Sequence, residues 1–127
     1  VQYLLAVDRG NSAIAYLNNP FNPAIIQTLT EILVEVQKVG KMVTVCGEIA
    51  SKGLTSLLLL GIGYRHFSMN PTSILEIKKL FSTVEVEFLK KQVEQIRNLK
   101  LKSEIKKTFL NNITTQYPGI FKYTVTV

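Results

Sequence analysis

A thiol, a carboxylate and a guanidinium stand in two short stretches of this sequence, each marked by a glycine. Cys46, the chain's single cysteine, closes the run Lys41-Met42-Val43-Thr44-Val45-Cys46 and is followed at once by Gly47 and Glu48. Val43 and Val45 suit a short buried strand, Gly40 stops whatever precedes it, and Gly47 lets the backbone turn sharply just after the sulfur. A thiol delivered into such a turn can serve as a general acid when its proton is available near the operating pH; a lone cysteine can equally be a small buried hydrophobe. Arg9 stands in Ala6-Val7-Asp8-Arg9-Gly10-Asn11. Its planar fork of donors suits a phosphate, while an ion pair with Asp8 at the surface is the plainer alternative. Together the two stretches suggest an anion site facing a proton donor.

Other residue types offer less. The single His66, beside Arg65 on an aromatic stretch, reads as structural. The glycines form neither a GxGxxG fingerprint nor a P-loop, and neither metal-ligand spacings nor a serine-triad signature is present. Between Lys90 and Lys107 seven basic residues face two acidic ones, a large part of the net charge of +6. Without interleaved aromatics this is the solvated face of one or two helices, and no nucleic-acid partner is expected.

The elements that must position these groups follow from periodicity. Residues 1–22 read mostly as loop, with a short turn of helix around Tyr3 to Val7. Asn22 as N-cap and Pro23 at the first helical position start a helix whose stripe of Ile25, Ile26, Leu29, Ile32, Leu33, Val36 and Val39 should lie against a sheet. After the cysteine strand, Ser51, Leu54 and Leu57 to Leu60 form a short apolar helix. Tyr64 to Met69 is a second strand, and Asn70-Pro71 opens a helix with Ile74, Leu75, Ile77, Leu80 and Phe81 on its buried side and Lys78 and Lys79 in its last turn. Ser82-Thr83-Val84-Glu85 reads as a capping box, before helices carrying Val86, Leu89, Val93 and Ile96 and then Ile105, Phe109, Leu110 and Ile113. Tyr117-Pro118-Gly119 makes a turn, and the last residues alternate in a strand-like pattern. Helix, strand, helix, strand, helix indicates parallel strands joined by right-handed crossovers, in an α/β barrel or an open doubly wound sheet.

The 127 residues suffice for one modest core. Hydrophobic residues make up 46% and charged residues 19%, without an uncharged apolar run long enough to span a bilayer. One cysteine cannot form an internal disulfide, which fits a reducing cytoplasm.

The blocks Gln2 to Asn11, Val45-Cys46-Gly47-Glu48-Ile49-Ala50, Leu58-Leu59-Leu60-Gly61-Ile62-Gly63 and Phe67-Ser68-Met69-Asn70 resemble the C-terminal, phosphoenolpyruvate-binding barrel of enzyme I, the phosphoenolpyruvate-protein phosphotransferase family. They come in the family's order and at about its spacing, and the wording from Gly63 to Asn70 is closer to the nitrogen-related paralogue. The resemblance implies a C-terminal fragment of a (β/α)8 TIM barrel, since a whole one takes roughly 250 residues: two barrel strands with flanking helices over residues 1–82, then a C-terminal helical extension with a strand-like tail over 83–127. It implies that Arg9 helps to hold the phosphate of phosphoenolpyruvate and that Cys46 handles the proton at the methylene carbon of the enolpyruvate/pyruvate pair, with Gly47 and Glu48 in support. It implies Mg2+ with its ligands upstream of Val1, a phosphocarrier protein as partner, a homodimer in the complete protein, a cytoplasmic location, and an isolated chain that is inactive. The family's phosphorylated histidine belongs to a separate domain, so His66 does not take that role. Ser51-Lys52 stands where the family has Gly-Asp, a cation beside the expected site. The alternatives are a fragment of a pyruvate phosphate dikinase or phosphoenolpyruvate synthase, and a non-catalytic remnant or interaction domain.

Overall fold

The computed structural model describes residues 3–7, 12–17 and 20–122. In chain order they form β1 (Tyr3–Val7), β2 (Ser12–Leu17), α1 (Pro23–Lys38), β3 (Met42–Cys46), α2 (Glu48–Ser51), α3 (Gly53–Ile62), α4 (Pro71–Thr83), α5 (Val86–Arg97) and α6 (Lys102–Gln116). The sheet has the order β1-β2-β3, with β1 antiparallel to β2 and β2 parallel to β3. A parallel bridge joins Val45 to Phe67 on the other side of β3. This is an α/β arrangement in which β2-α1-β3 is one crossover unit and β3-α2-α3 leads to the next parallel segment. The described residues form an open sheet, without barrel closure.

The start of the chain corrects the sequence reading. Instead of loop and a helical turn, residues 3–7 and 12–17 form a hairpin with Tyr3 opposite Leu17 and Val7 opposite Ala13. Local propensity around Tyr3 to Val7 is weak, whereas pairing β2 along β3 gives the backbone of both segments ladder partners. The expectation of two barrel strands changes as well. Tyr64 to Met69 makes only the one bridge, through Val45 N–H to His66 O at 2.9 Å and Ser68 N–H to Val45 O at 2.8 Å. Its first two residues are committed to helices. The Tyr64 hydroxyl donates to Leu29 O on α1 at 2.8 Å, and Arg65 Nη1 donates to Leu60 O at the end of α3, also at 2.8 Å. With those anchors the segment continues the ladder for too few residues to count as a strand.

α1 begins as its sequence predicts: Asn22 Oδ1 accepts the N–H of Ala24 at 2.9 Å and Pro23 follows the cap. Ile25, Ile26 and Leu29 are buried, but the stripe fades toward the C-terminus, where Val39 is 64% exposed. α3 is apolar all round, and every residue from Gly53 to Gly61 is buried. The reason is its position between two cores. One, facing the sheet, gathers Ile25, Leu29, Val43, Val45, Leu59 and Tyr64. The other joins Leu54, Leu57, Leu58 and Leu60 of α3 to Leu80 of α4, Leu89, Val93 and Ile96 of α5, and Ile105, Phe109 and Ile113 of α6. α3 and α5 meet closely at Gly61, where an added Cβ would lie 2.8 Å from Val93 Cγ2 and 3.0 Å from Leu89 O.

Three local expectations give way to tertiary contacts. α4 runs on to Thr83, so Lys78 and Lys79 sit in mid-helix and not in its last turn. The capping box does not form: Ser82 Oγ and Thr83 Oγ1 both donate back to Lys79 O, and Glu85 takes the cap position of α5 without a side-chain bond. Its N–H is bound instead by the Tyr117 hydroxyl at 2.9 Å, and the Tyr117 ring meets Phe88 edge-on at 5.5 Å. Tyr117, Pro118 and Gly119 do turn the chain, with Gly119 at φ 76. The strand-like pattern of residues 123–127 lies outside the described residues.

Candidate functional site

Side chains alternate across a strand, and burial along β3 shows which face each takes. Val43 and Val45 are 5% and 0% exposed, packed under α1 and α3. Met42, Thr44 and Cys46 therefore take the opposite face, where Met42 is exposed and the other two are half-buried. Cys46 is the last residue of β3, at the C-terminal end of a parallel strand, and its thiol is free. Backbones at that end leave the sheet and open a crevice, which is where α/β proteins bind their ligands.

The next residue makes the turn. Gly47 has φ 96, a left-handed conformation that penalises any Cβ, and it caps the short α2, with Ala50 N–H donating to Gly47 O at 3.2 Å. The sharp exit that Gly47 predicts is thus present, and Glu48 is the first residue of α2. The turn is anchored from behind by Thr55, buried in α3, whose hydroxyl donates to Ile49 O at 2.8 Å.

The bridge between Val45 and Phe67 extends this face. Bridged residues point the same way, so their neighbours His66 and Ser68 share the face of Thr44 and Cys46, and both are exposed. Phe67 turns inward, meeting Phe81 edge-on at 5.3 Å. His66 is therefore no core histidine; its structural contribution is its backbone carbonyl. Thr44, His66 and Ser68 were missed as companions of Cys46. A period of two counted from Cys46 finds Thr44, but His66 and Ser68 need the register, which no sequence pattern supplies.

Arg9, with Asp8, Gly10 and Asn11, lies outside the described residues. The strand ends on either side of it are described: Val7 pairs with Ala13, and Ser12 with Met42, whereas Tyr16 pairs with Cys46. Ser12 thus stands at the Met42 level of the sheet, four residues from Cys46 or about 13 Å at the usual rise per residue, and Val7 one residue nearer. Arg65, next to His66, is occupied by Leu60 O and Tyr64 O, both at 2.8 Å. Tyr64 is wholly buried, and loss of hydration pushes its phenol well above the ordinary tyrosine value. It is a structural post between α1 and the sheet.

Lys52 has a second setting besides its place in the sequence block of Cys46. It is the junction residue between α2 and α3 and lines a cleft with Phe21, Lys102, Lys106 and Lys107, whose described lining does not include Cys46. For magnesium, the described residues contain no group of three or more His, Cys, Asp or Glu side chains that could hold an ion. No described helix is long and apolar enough to cross a membrane.

Comparison with known proteins identifies the family. Residues 1–86 match the family model of the PEP-binding domain of PEP-utilising enzymes. The chain is 38% identical over 96 residues to a phosphoenolpyruvate-protein phosphotransferase of Cupriavidus necator, covering 76% of this chain and 16% of that protein. It is 35% identical over 105 residues to the phosphoenolpyruvate-protein phosphotransferase of Bacillus subtilis, covering 83% of this chain and 18% of the relative. A Salmonella typhimurium protein named for the phosphoenolpyruvate-dependent phosphotransferase system is 38% identical over 86 residues, 68% of this chain and 12% of its own length. The chain thus spans less than a fifth of these curated relatives.

Proposed function

This chain belongs to the PEP-binding domain family of PEP-utilising enzymes, and on that premise we propose that it is the C-terminal part of a phosphoenolpyruvate-protein phosphotransferase, with Cys46 as the proton donor to the enolate. One observation carries the reading: the free thiol ends a parallel strand, half-buried, on the face turned away from α1 and α3. When the phosphoryl group leaves phosphoenolpyruvate for a protein histidine, the remaining enolate needs a proton at its methylene carbon to become pyruvate. The Cys46 S–H supplies that proton and is left as a thiolate, to be reprotonated from solvent before the next turnover. Gly47 holds the sulfur at the rim of the sheet, and Glu48 begins the helix behind it. Arg9 holds the phosphate in this reading, a role that rests on the family pattern.

In this reading β2, α1 and β3 within residues 1–82 stand for one unit of the family's TIM barrel, with Thr44 and Cys46 facing its interior, while the antiparallel β1 departs from that barrel and 83–127 is a helical extension. The complete protein passes the phosphoryl group to a phosphocarrier protein, works as a homodimer and is cytoplasmic. The described residues do not fit a Mg2+ site, and no step above runs through one.

The test uses the complete protein that carries this segment. In Cys46→Ala, phosphoenolpyruvate affinity stays within about threefold while pyruvate formation falls roughly 100- to 10,000-fold, the usual contribution of a positioned acid. Arg9→Ala does the reverse, weakening binding first. An unchanged rate in Cys46→Ala removes the thiol from the mechanism, whereas a complete protein that forms no pyruvate even with Cys46 in place favours the non-catalytic interaction domain. That alternative has one observation in its favour, the Lys52 cation in the sequence block that contains the thiol.

A further inference from the structure

The second feature that the family reading does not absorb is the basic cleft between α3 and α6. It has a volume of ≈ 570 Å³, the size of a small-molecule site. Four of its described lining residues are lysines, Lys52, Lys102, Lys106 and Lys107, and none is a carboxylate. Its apolar wall includes Phe21, which is 3% exposed, and Leu110. The lysines come from opposite sides: Lys52 from the α2–α3 junction, the other three from the first turns of α6.

This arrangement costs the empty protein free energy. Lys102 and Lys106 are four apart on one helix, a spacing at which like charges repel, and Lys52 adds a third positive charge across the cleft. Lys106 lies 5.9 Å over the Phe21 ring, which keeps its ammonium group at the wall of the cleft. Lys38, Lys90 and Arg97 each pair with a glutamate three residues earlier. Glu104, in the first turn of α6, does not line the cleft. Both helices also begin there without a side-chain cap, so their first-turn N–H groups add partial positive charge on the same side.

We propose that this cleft binds a small phosphate-rich anion, its phosphates held by Lys52, Lys102, Lys106 and Lys107 and its apolar portion laid against Phe21 and Leu110. At least two phosphates are needed to engage lysines from both sides, and an apolar group on the ligand meets Leu110 and the small exposed part of Phe21. A nucleoside diphosphate has both parts; pyrophosphate has only the first. The site is independent of the proton-donor reading, since Cys46 is not among its described lining residues.

Calorimetric titration of the full chain with pyrophosphate, ADP and adenosine tests this. The wild type binds pyrophosphate with an affinity that falls as salt rises, and binds ADP several-fold more tightly; adenosine alone does not bind. Lys102→Ala/Lys106→Ala lowers pyrophosphate affinity by about tenfold or more, on the scale of charge-assisted bonds lost. The control Lys78→Ala/Lys91→Ala removes the same charge from exposed positions on α4 and α5 and changes affinity less than about twofold, as screened distant charges should. Equal losses in the two double variants, or no pyrophosphate binding at low salt, overturn the proposal. Equal affinity for pyrophosphate and ADP overturns the part assigned to Phe21 and Leu110. Because no readout is enzymatic, Cys46→Ala binds both ligands as the wild type does, whatever becomes of the catalytic reading.

Discussion

Replacing Gly61 by alanine measures how tightly α3 is clasped by α5. The new Cβ would stand 2.8 Å from Val93 Cγ2 and 3.0 Å from Leu89 O. The first distance is shorter than real Cβ contacts, and the second involves backbone that cannot rotate away. Overpacking of this kind costs about 1–3 kcal/mol. Alanine is the better helix former by about 1 kcal/mol, which offsets part of the cost, so the net loss should be about 0–2 kcal/mol. Val93 is 3% exposed, and Val93→Ala alone loses about 2 kcal/mol of burial and packing. The two changes should not add. Removing Cγ2 makes room for the alanine methyl, and the methyl fills part of the hole, so the double variant should recover about 1 kcal/mol of the summed loss. The contact with Leu89 O prevents full recovery. Urea unfolding of the four proteins gives the cycle, provided that the slope against urea stays constant. Additive losses within about 0.5 kcal/mol, or a Gly61→Ala protein more stable than wild type, would show that α3 and α5 are not in this contact.

Two further changes test how α1 is tied down. Asn22→Ala removes the acceptor that caps α1 through Ala24 N–H and should cost about 1 kcal/mol in the same unfolding assay; no loss would mean that another group caps the helix. Tyr64→Phe removes the hydroxyl bound to Leu29 O and should cost about 1 kcal/mol at neutral pH. Tyr64 also sets a pH dependence. Its folded pKa is raised by burial, so the unfolded chain loses the phenolic proton first. The stabilisation is then complete below the unfolded value of about 10 and is lost as pH rises past it, at up to about 1.4 kcal/mol per pH unit for this group. In Tyr64→Phe that part of the alkaline decline should vanish, and an identical decline in both proteins would remove Tyr64 as its cause.

The strand that carries Cys46 and the turn after it were legible in the sequence. Gly40, the valines and Gly47 mark β3 and its turn because strand preference and glycine's freedom at positive φ are local properties. The Asn22-Pro23 start of α1 is local in the same sense. The Tyr3 to Leu17 hairpin was not legible, since its pairing depends on β3, more than 20 residues further on. The capping box at Ser82 to Glu85 failed because α4 kept Ser82 and Thr83 for its own last turn, while Tyr117, 32 residues away, took the Glu85 N–H.

The sequence by itself determined the α/β class, the strand β3, the strand end on which the only cysteine sits, and the family. These follow from periodicity, from turn residues and from the order of short motifs. Tertiary structure alone decided that α3 is buried on every side, that His66 and Ser68 join the face of Cys46, and that Lys52 meets the lysines of α6 across a cleft. Each of these depends on which distant segments are brought side by side. Side-chain periodicity fixes a face only relative to its own element, and packing decides what that face meets.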